Sequence, residues 1–446
     1  MRAFPCWSRS RLPGHPSFAL FAAHSAAGIG AWIATWIAAV TIGLAACAGA
    51  TEPHAPPQEL TSLPRDLSVA EQKVVAGSNA FSFALWQKVG SAQRDSNVFT
   101  SPLSASFALG MTMNGAANAT WNEMRAALQF GDATQQEINA GYKSLVALLT
   151  SLDPQVTMQL ANSIWYRQTF PFLQSFLDTT KAVFDADVKG LDFNNVPASL
   201  ATINGWVDAK TAHRIPTVLD NITPEQVMFL INAIYFKGGW RNKFDPGKTT
   251  DDTFHGAAGT TQPARLMHSL RDSTSYAETA TYQAVDLPYG NGAFSMTVLL
   301  PKAGTDVETL SASLTPPSWS AVVAGFHPAK VDLALPRFTL KWERKLNDDL
   351  TALGMRQAFV PDGADFTRMA ASPDGLHLYV QFVKQNTFVA VDEEGTEAAA
   401  VTVVGVGVTS LPAIPVMRVD RPYLFVLRER LTGTILFMGK IVRMPT

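Results

Sequence analysis

A single large α+β domain is the fold the sequence predicts, on three observations. Helix-period apolar patterning comes mainly first, strand-like apolar runs come mainly last, and no long Gly/Ser or charge-run linker interrupts the chain after about residue 70. No repeat of fixed period is visible, and regular βα alternation is absent. With 446 residues, 47% of them hydrophobic and 16% charged, the chain can bury a sizeable core. Its formal charge of −2 and lack of a basic stripe argue against a nucleic-acid surface.

Taken in order, Val69 to Val89 and Leu103 to Leu128 have helical periodicity, with apolar side chains returning every three or four residues. Phe294 to Leu300, Val331 to Leu335, Val380 to Val391, Leu424 to Leu427 and Ile435 to Ile441 are short apolar runs rich in β-branched and aromatic residues and read as strands. The first 51 residues differ. Arg2, Arg9 and Arg11 precede a stretch up to Glu52 without Asp, Glu, Lys or Arg, the pattern of a signal peptide over residues 1–46. The stretch exceeds the usual apolar core of such a peptide, so a membrane-spanning anchor and a start codon placed too far upstream are competing readings. Leu44, Ala45, Ala46 and Cys47 resemble a bacterial lipobox, which would make Cys47 the lipidated new N-terminus and residues 47–68 a Pro-containing tether. On that reading the protein is exported, as an outer-membrane lipoprotein or an extracellular or periplasmic protein. Cys6 would be removed and the mature domain, from residue 69 to 446, would hold no disulfide.

Enzymatic signatures are missing. There is no G-x-S-x-G elbow, no H-E-x-x-H and no paired CxxC, and Gly247-Lys248-Thr249 lacks the upstream glycine of a phosphate loop. The eight histidines, among them His213, His255, His268 and His377, are scattered singly, so neither a metal site nor a cofactor is expected.

The most informative stretch runs from the strand-like Phe388–Val391 through Asp392, Glu393, Glu394, Gly395, Thr396, Glu397, Ala398, Ala399, Ala400, Val401 and Thr402. Acidic residues and a glycine suit a solvated turn, whereas the small, proline-free residues suit a strand pressed on both faces, so the segment reads equally well exposed or buried. With a period of two, Thr396, Ala398, Ala400, Thr402 and Val404 share a face without charge or bulk, and Glu397 lies opposite. Such a stretch can enter a sheet without burying an unpaired carboxylate.

EEGTEAAAVT, at Glu393 to Thr402, resembles the reactive-loop hinge of the serpins, inhibitors that trap a protease by loop insertion. Further family-like segments follow in order: Asn97 to Ala116, Ile203 to Leu219, Leu230 to Thr249, Val285 to Pro301, Leu333 to Leu340 and Asp420 to Ile441. The resemblance implies a large central, mainly antiparallel sheet with smaller sheets, a helical N-terminal half and an exposed reactive-centre loop at about residues 393–416. It implies a monomeric suicide substrate rather than an enzyme. On that resemblance a serine protease, with a papain-like cysteine protease as a second class, would attack the loop and be carried off as an acyl-enzyme while the loop enters the main sheet. Gly395 would be the pivot and Thr396 the first side chain to enter. Non-inhibitory relatives, which act as carriers or surface-binding proteins, usually have a spoiled hinge, and this one is intact.

Family counting implies the bait bond. The seventeenth residue from Glu393 is Thr409, followed by Ser410; counting back from Arg421-Pro422 gives Leu411, where Pro412 would constrain the leaving side. Thr409 and Ser410 are the reading adopted. No Lys or Arg occurs from Ala398 to Met417, so Val406, Val408, Thr409 and Leu411 suit the apolar pockets of elastase-like or subtilisin-like proteases. The resemblance also assigns sheet opening to Ser101, Pro102, Ser104, Asn232 and Gln385, and the start of insertion to Trp240. At Gln385 relatives usually have a histidine bonded to the asparagine matching Asn232; glutamine can donate and accept but cannot titrate.

Overall fold

The computed structural model describes residues 58–371, 377–396 and 414–445. In chain order the elements are α1 (Val69–Ala92), β1 (Val98–Thr100), α2 (Pro102–Met113), α3 (Asn118–Ala127), α4 (Gln135–Ser151), β2 (Val156–Arg167), α5 (Gln174–Phe184), β3 (Asp187–Leu191), α6 (Val196–Lys210) and β4 (Met228–Gly239). There follow β5 (Thr249–His255), β6 (Thr261–Glu278), β7 (Tyr282–Pro288), β8 (Phe294–Pro301), α7 (Val307–Ser313), α8 (Pro316–Ala324), β9 (His327–Pro336) and β10 (Phe338–Lys345). Then come α9 (Asn347–Ala352), β11 (Lys384–Val391), β12 (Gly395–Thr396), β13 (Val416–Arg418), β14 (Tyr423–Glu429) and β15 (Ile435–Ile441). The order is helices mainly first and strands mainly last, as the patterning predicts.

α1 starts at a capping box. The Ser68 hydroxyl accepts the Glu71 N–H at 3.2 Å, and the Glu71 carboxylate accepts the Ser68 N–H at 2.7 Å. Glu71 is fully buried, held by Arg65 at 2.8 Å and by the Ser144 hydroxyl at 2.7 Å. The Arg65 guanidinium, chiefly, holds this carboxyl well below its usual range, at about 2. A lowered folded-state value stabilises the fold above the ordinary carboxyl pKa, and that stability disappears as pH falls from about 4.5 towards 2. Glu71→Gln is therefore expected to be less stable than wild type at pH 7 by roughly 2–3 kcal/mol and to lose less between pH 5 and pH 2, checked by denaturant unfolding across that range.

Two element boundaries and the tether depart from expectation. The run Leu103–Leu128 is two helices, because Gly115 lies so tightly under Met369 that an added Cβ would sit 2.6 Å from the Met369 Cβ, and the Ala117 N–H leaves the helix to bond the Asp365 carbonyl at 2.9 Å. The strand expected from Val380 begins at Lys384, since its partner β10 ends at Lys345 and the Leu346 N–H already caps the Val383 carbonyl at 2.7 Å. Within the expected tether, Leu60, Leu63 and Leu67 pack against the core and the Leu60 N–H bonds the Asn291 carbonyl at 2.8 Å, so the second half of that segment belongs to the folded body.

Among the described residues the strands form three ladders. A nine-stranded sheet runs β1-β15-β14-β8-β7-β6-β9-β13 with β5 on β6, a four-stranded sheet runs β12-β4-β2-β3, and β10 pairs with β11 alone. The interior is aromatic-rich; Phe99 of β1 stacks on Phe437 at 4.9 Å and on Phe425 at 5.6 Å. Where one central sheet is expected, the ladder is divided. Among the described residues β4 is paired along one edge with β2 but on the other only at Gly238 and Gly239, and β11 is paired only with β10.

Candidate functional site: a slot between two strands

Among the described residues the facing edges of β4 and β11 have no partner strand, and they border a cavity of about 500 Å³. Met228 to Asn232 line it from β4, residues 377–385 from the segment leading into β11, and Ser104, Ala108 and Leu109 of α2 form part of its wall. Unpaired strand edges are templates for a further strand, and here two of them, one in the four-stranded sheet and one in the β10–β11 pair, line the same cavity.

The top of the slot is already entered. After β11 the chain turns at Asp392, whose carboxylate accepts the Glu394 N–H at 3.0 Å and the Gly395 N–H at 3.2 Å. It then runs back antiparallel to β4, Gly395 opposite Gly239 and Thr396 opposite Gly238. Thr396, expected to enter only after cleavage, is thus already in the sheet, 3% exposed, with its hydroxyl 2.8 Å from that of Tyr289. Gly395 has φ +155°, and a Cβ there would strike the Gly238 carbonyl and lie 2.7 Å from the Gly239 Cα, so close approach to β4 is what demands glycine.

The acidic residues that read equally as exposed or buried are buried. Glu393 and Glu394 are each 6% exposed. Glu394 pairs with Lys243 at 2.7 Å, while Glu393 accepts the Thr249 hydroxyl at 2.6 Å and faces Arg337 at 3.4 Å. Their carbonyls receive the Trp240 N–H at 2.8 Å and the Phe244 N–H at 2.9 Å. Charge pairing offsets part of the cost of this burial, although the Glu394 Oε1 has no hydrogen-bond partner among the described residues. Asp392 has no ion-pair partner among the described residues, and burial pushes its carboxyl above the usual range. Trp240 donates its indole N–H to the Asp392 carbonyl at 2.8 Å and stacks on Tyr289 at 4.6 Å and 12°. It therefore sits where the entering segment starts.

Lower down, Ser101, Pro102, Ser104, Asn232 and Gln385 come together under the slot. Ser101 caps α2, with Pro102 at the first helical position, and donates its hydroxyl to the Leu436 carbonyl at 2.9 Å. The Ser104 hydroxyl donates to the Asn232 side-chain oxygen, and the Asn232 amide donates to Asn162 at 2.6 Å. Gln385 is not bonded to Asn232, contrary to the sequence-based expectation. Its amide is complementary to the Ser101 backbone instead: the oxygen accepts the Ser101 N–H at 3.0 Å and the Thr100 hydroxyl at 2.7 Å, and the nitrogen donates to the Ser101 carbonyl at 2.7 Å. Asn232 is already occupied. Gln385→Leu would orphan these fully buried groups and is expected to cost roughly 2–3 kcal/mol, read as a melting point lower by ~3 °C.

Glu397, Ala398, Ala399, Ala400, Thr409, Ser410 and Cys47 lie outside the described residues, as does the signal-peptide segment. Sequence reasoning missed Tyr289, Lys243, Thr249 and Arg337, the partners of the hinge. Tyr289, Lys243 and Thr249 fall within segments that look family-like, but no periodicity or motif marks them as hinge contacts.

A family model for Serpin (serine protease inhibitor) matches residues 76–444. The chain is a serpin. An uncharacterised serpin-like protein of Thermococcus kodakarensis is 31% identical over 377 residues, covering 83% of this chain and 86% of that relative. The leukocyte elastase inhibitor of Homo sapiens is 29% identical over 385 residues, covering 83% and 99% respectively. The crystal structure of tengpin, a thermophilic serpin, in the native state superposes with a TM-score of 0.77 at 29% identity, covering 87% of this serpin and 97% of that chain. Serpins generally act as inhibitors rather than as catalysts, and relatives of this serpin include protease inhibitors.

Proposed function

We propose that this serpin is an inhibitory one that traps serine endopeptidases as a suicide substrate, with Thr409–Ser410 as the bait bond. The observation that supports this reading most is a slot whose upper pair, Gly395–Thr396 on Gly239–Gly238, is formed while, among the described residues, the edges below it have no partner strand. Extending that register in a cleaved chain sets Ala398 opposite Phe236, Ala400 opposite Ile234 and Thr402 opposite Asn232. Small residues at 398 and 400 meet large ones on β4, and a hydroxyl reaches the polar cluster of Ser104 and Asn232.

Chemistry follows from this geometry. Attack on the bait bond forms an acyl-enzyme and frees one end of the segment; the segment zips down the slot, carrying the enzyme with it before water can hydrolyse the ester. The intact protein is then kinetically trapped above a more stable inserted state. Ser101, Pro102, Ser104, Asn232 and Gln385 hold the strands that must part, and Trp240 packs at the point of entry. The apolar residues around the bond favour elastase-like or subtilisin-like targets, with papain-like proteases a secondary class. A signal peptide and a lipidated Cys47 would place the domain, as a monomer, outside the cytoplasm.

The test is to incubate the domain from Ala48 onward with elastase-like, subtilisin-like, trypsin-like and papain-like proteases. Denaturant-resistant adducts on gels with the first two, and a cut after Thr409 by mass spectrometry, are expected. Clean turnover by every protease would leave a carrier or surface-binding role.

A further inference from the structure

Tyr289 has no role in the mechanism so far, yet it meets the hinge at Thr396, the first side chain in the sheet. Its side chain is fully buried, stacked on Trp240 at 4.6 Å and edge-on to Phe236 at 5.1 Å. Its backbone is fixed by an N–H to the Phe294 carbonyl at 2.9 Å and by the bridge to Trp240. The ring lies over Gly238, where an added Cβ would approach its Cδ1 to 3.0 Å. Among the described residues the hydroxyl of this immobile ring has one partner, the Thr396 hydroxyl at 2.8 Å.

We propose that Tyr289 is the positioning residue that latches Thr396 into the sheet before any protease arrives. If the hinge withdraws, both hydroxyls lose their partner, and that of Tyr289 stays buried without one, a costly state. Withdrawal is therefore disfavoured, and insertion after cleavage propagates from a pair already made instead of having to close a free ribbon onto the strand. The bond acts on the resting position of the hinge; its consequence for trapping rests on the inhibitory reading above.

The experiment compares Tyr289→Phe, Thr396→Val, Thr396→Ser and the double variant Y289F/T396V with wild type. The phenylalanine keeps the stack on Trp240, and the serine keeps the hydroxyl. Hydrogen–deuterium exchange of the intact proteins is read at residues 238–240 and 393–396. Exchange about fivefold faster is expected in Tyr289→Phe and Thr396→Val, as for loss of a bond of about 1 kcal/mol, with no further rise in the double variant and near wild-type rates in Thr396→Ser. Pancreatic elastase is then added, and adduct per loop cut is expected to fall several-fold in the same variants. Wild-type exchange in Tyr289→Phe, or fully additive effects in the double variant, would overturn the latch. Exchange that follows the expected pattern while even wild type yields no adduct would uphold the latch and remove the inhibitory reading instead.

Discussion

Cutting this serpin between Thr409 and Ser410 raises its melting temperature by at least about 10 °C. The reason lies in the two open edges. Among the described residues β4 is paired on the slot side only at Gly238 and Gly239, and β11 has β10 alone, so backbone groups along both strands can gain a ladder partner once the segment after Thr396 is free to enter. The cavity of about 500 Å³ at the lower end also fills, which removes apolar surface from water and restores packing contacts. A surplus of about 8 kcal/mol over the entropy of ordering the segment is enough for that shift. Calorimetry of intact and nicked protein measures it. An unchanged midpoint after a clean cut would contradict a native state held above an inserted one.

On the inhibitory reading, Thr396→Arg is expected to abolish trapping while leaving the loop cleavable. Thr396 is 3% exposed between Gly238 and the Tyr289 hydroxyl, a space that has no room for a guanidinium and no carboxylate assigned to meet one. Either the charge is buried unpaired, at several kcal/mol, or the hinge is driven out of the slot. Both slow the first step of insertion relative to hydrolysis of the acyl-enzyme. Since 1.4 kcal/mol in that competition is tenfold, adduct yield should fall more than about tenfold, with cleaved inhibitor accumulating in its place. Gel densitometry at fixed protease gives the ratio, and nicked Thr396→Arg should lack most of the thermal gain expected of nicked wild type. Wild-type adduct yield in this variant would show that insertion does not pass through position 396.

Much of this was legible before any coordinates. The first helix, the late strands and the α+β class follow from apolar periodicity, because a 3.6-residue or two-residue period reports which side of an element meets the core. The small, uncharged face from Thr396 onward is likewise a one-dimensional property. Other features depend on partners distant in the chain. The break after Met113 is made by Met369 and Asp365, and the late start of β11 by the end of β10 at Lys345.

What this sequence determined by itself is a family, an order of elements and a segment chemically able to live either in water or in a sheet. Only the tertiary structure decided which. Glu393 and Glu394 are buried because Lys243, Arg337 and Thr249, brought from a hundred or more residues away in some pairs and dozens in others, supply the charge and hydrogen bonds that a buried carboxylate requires. Gln385 turns to Ser101 because Asn232 is already claimed by Ser104 and Asn162. Side-chain desolvation is settled by neighbours in space, and local pattern carries no record of them.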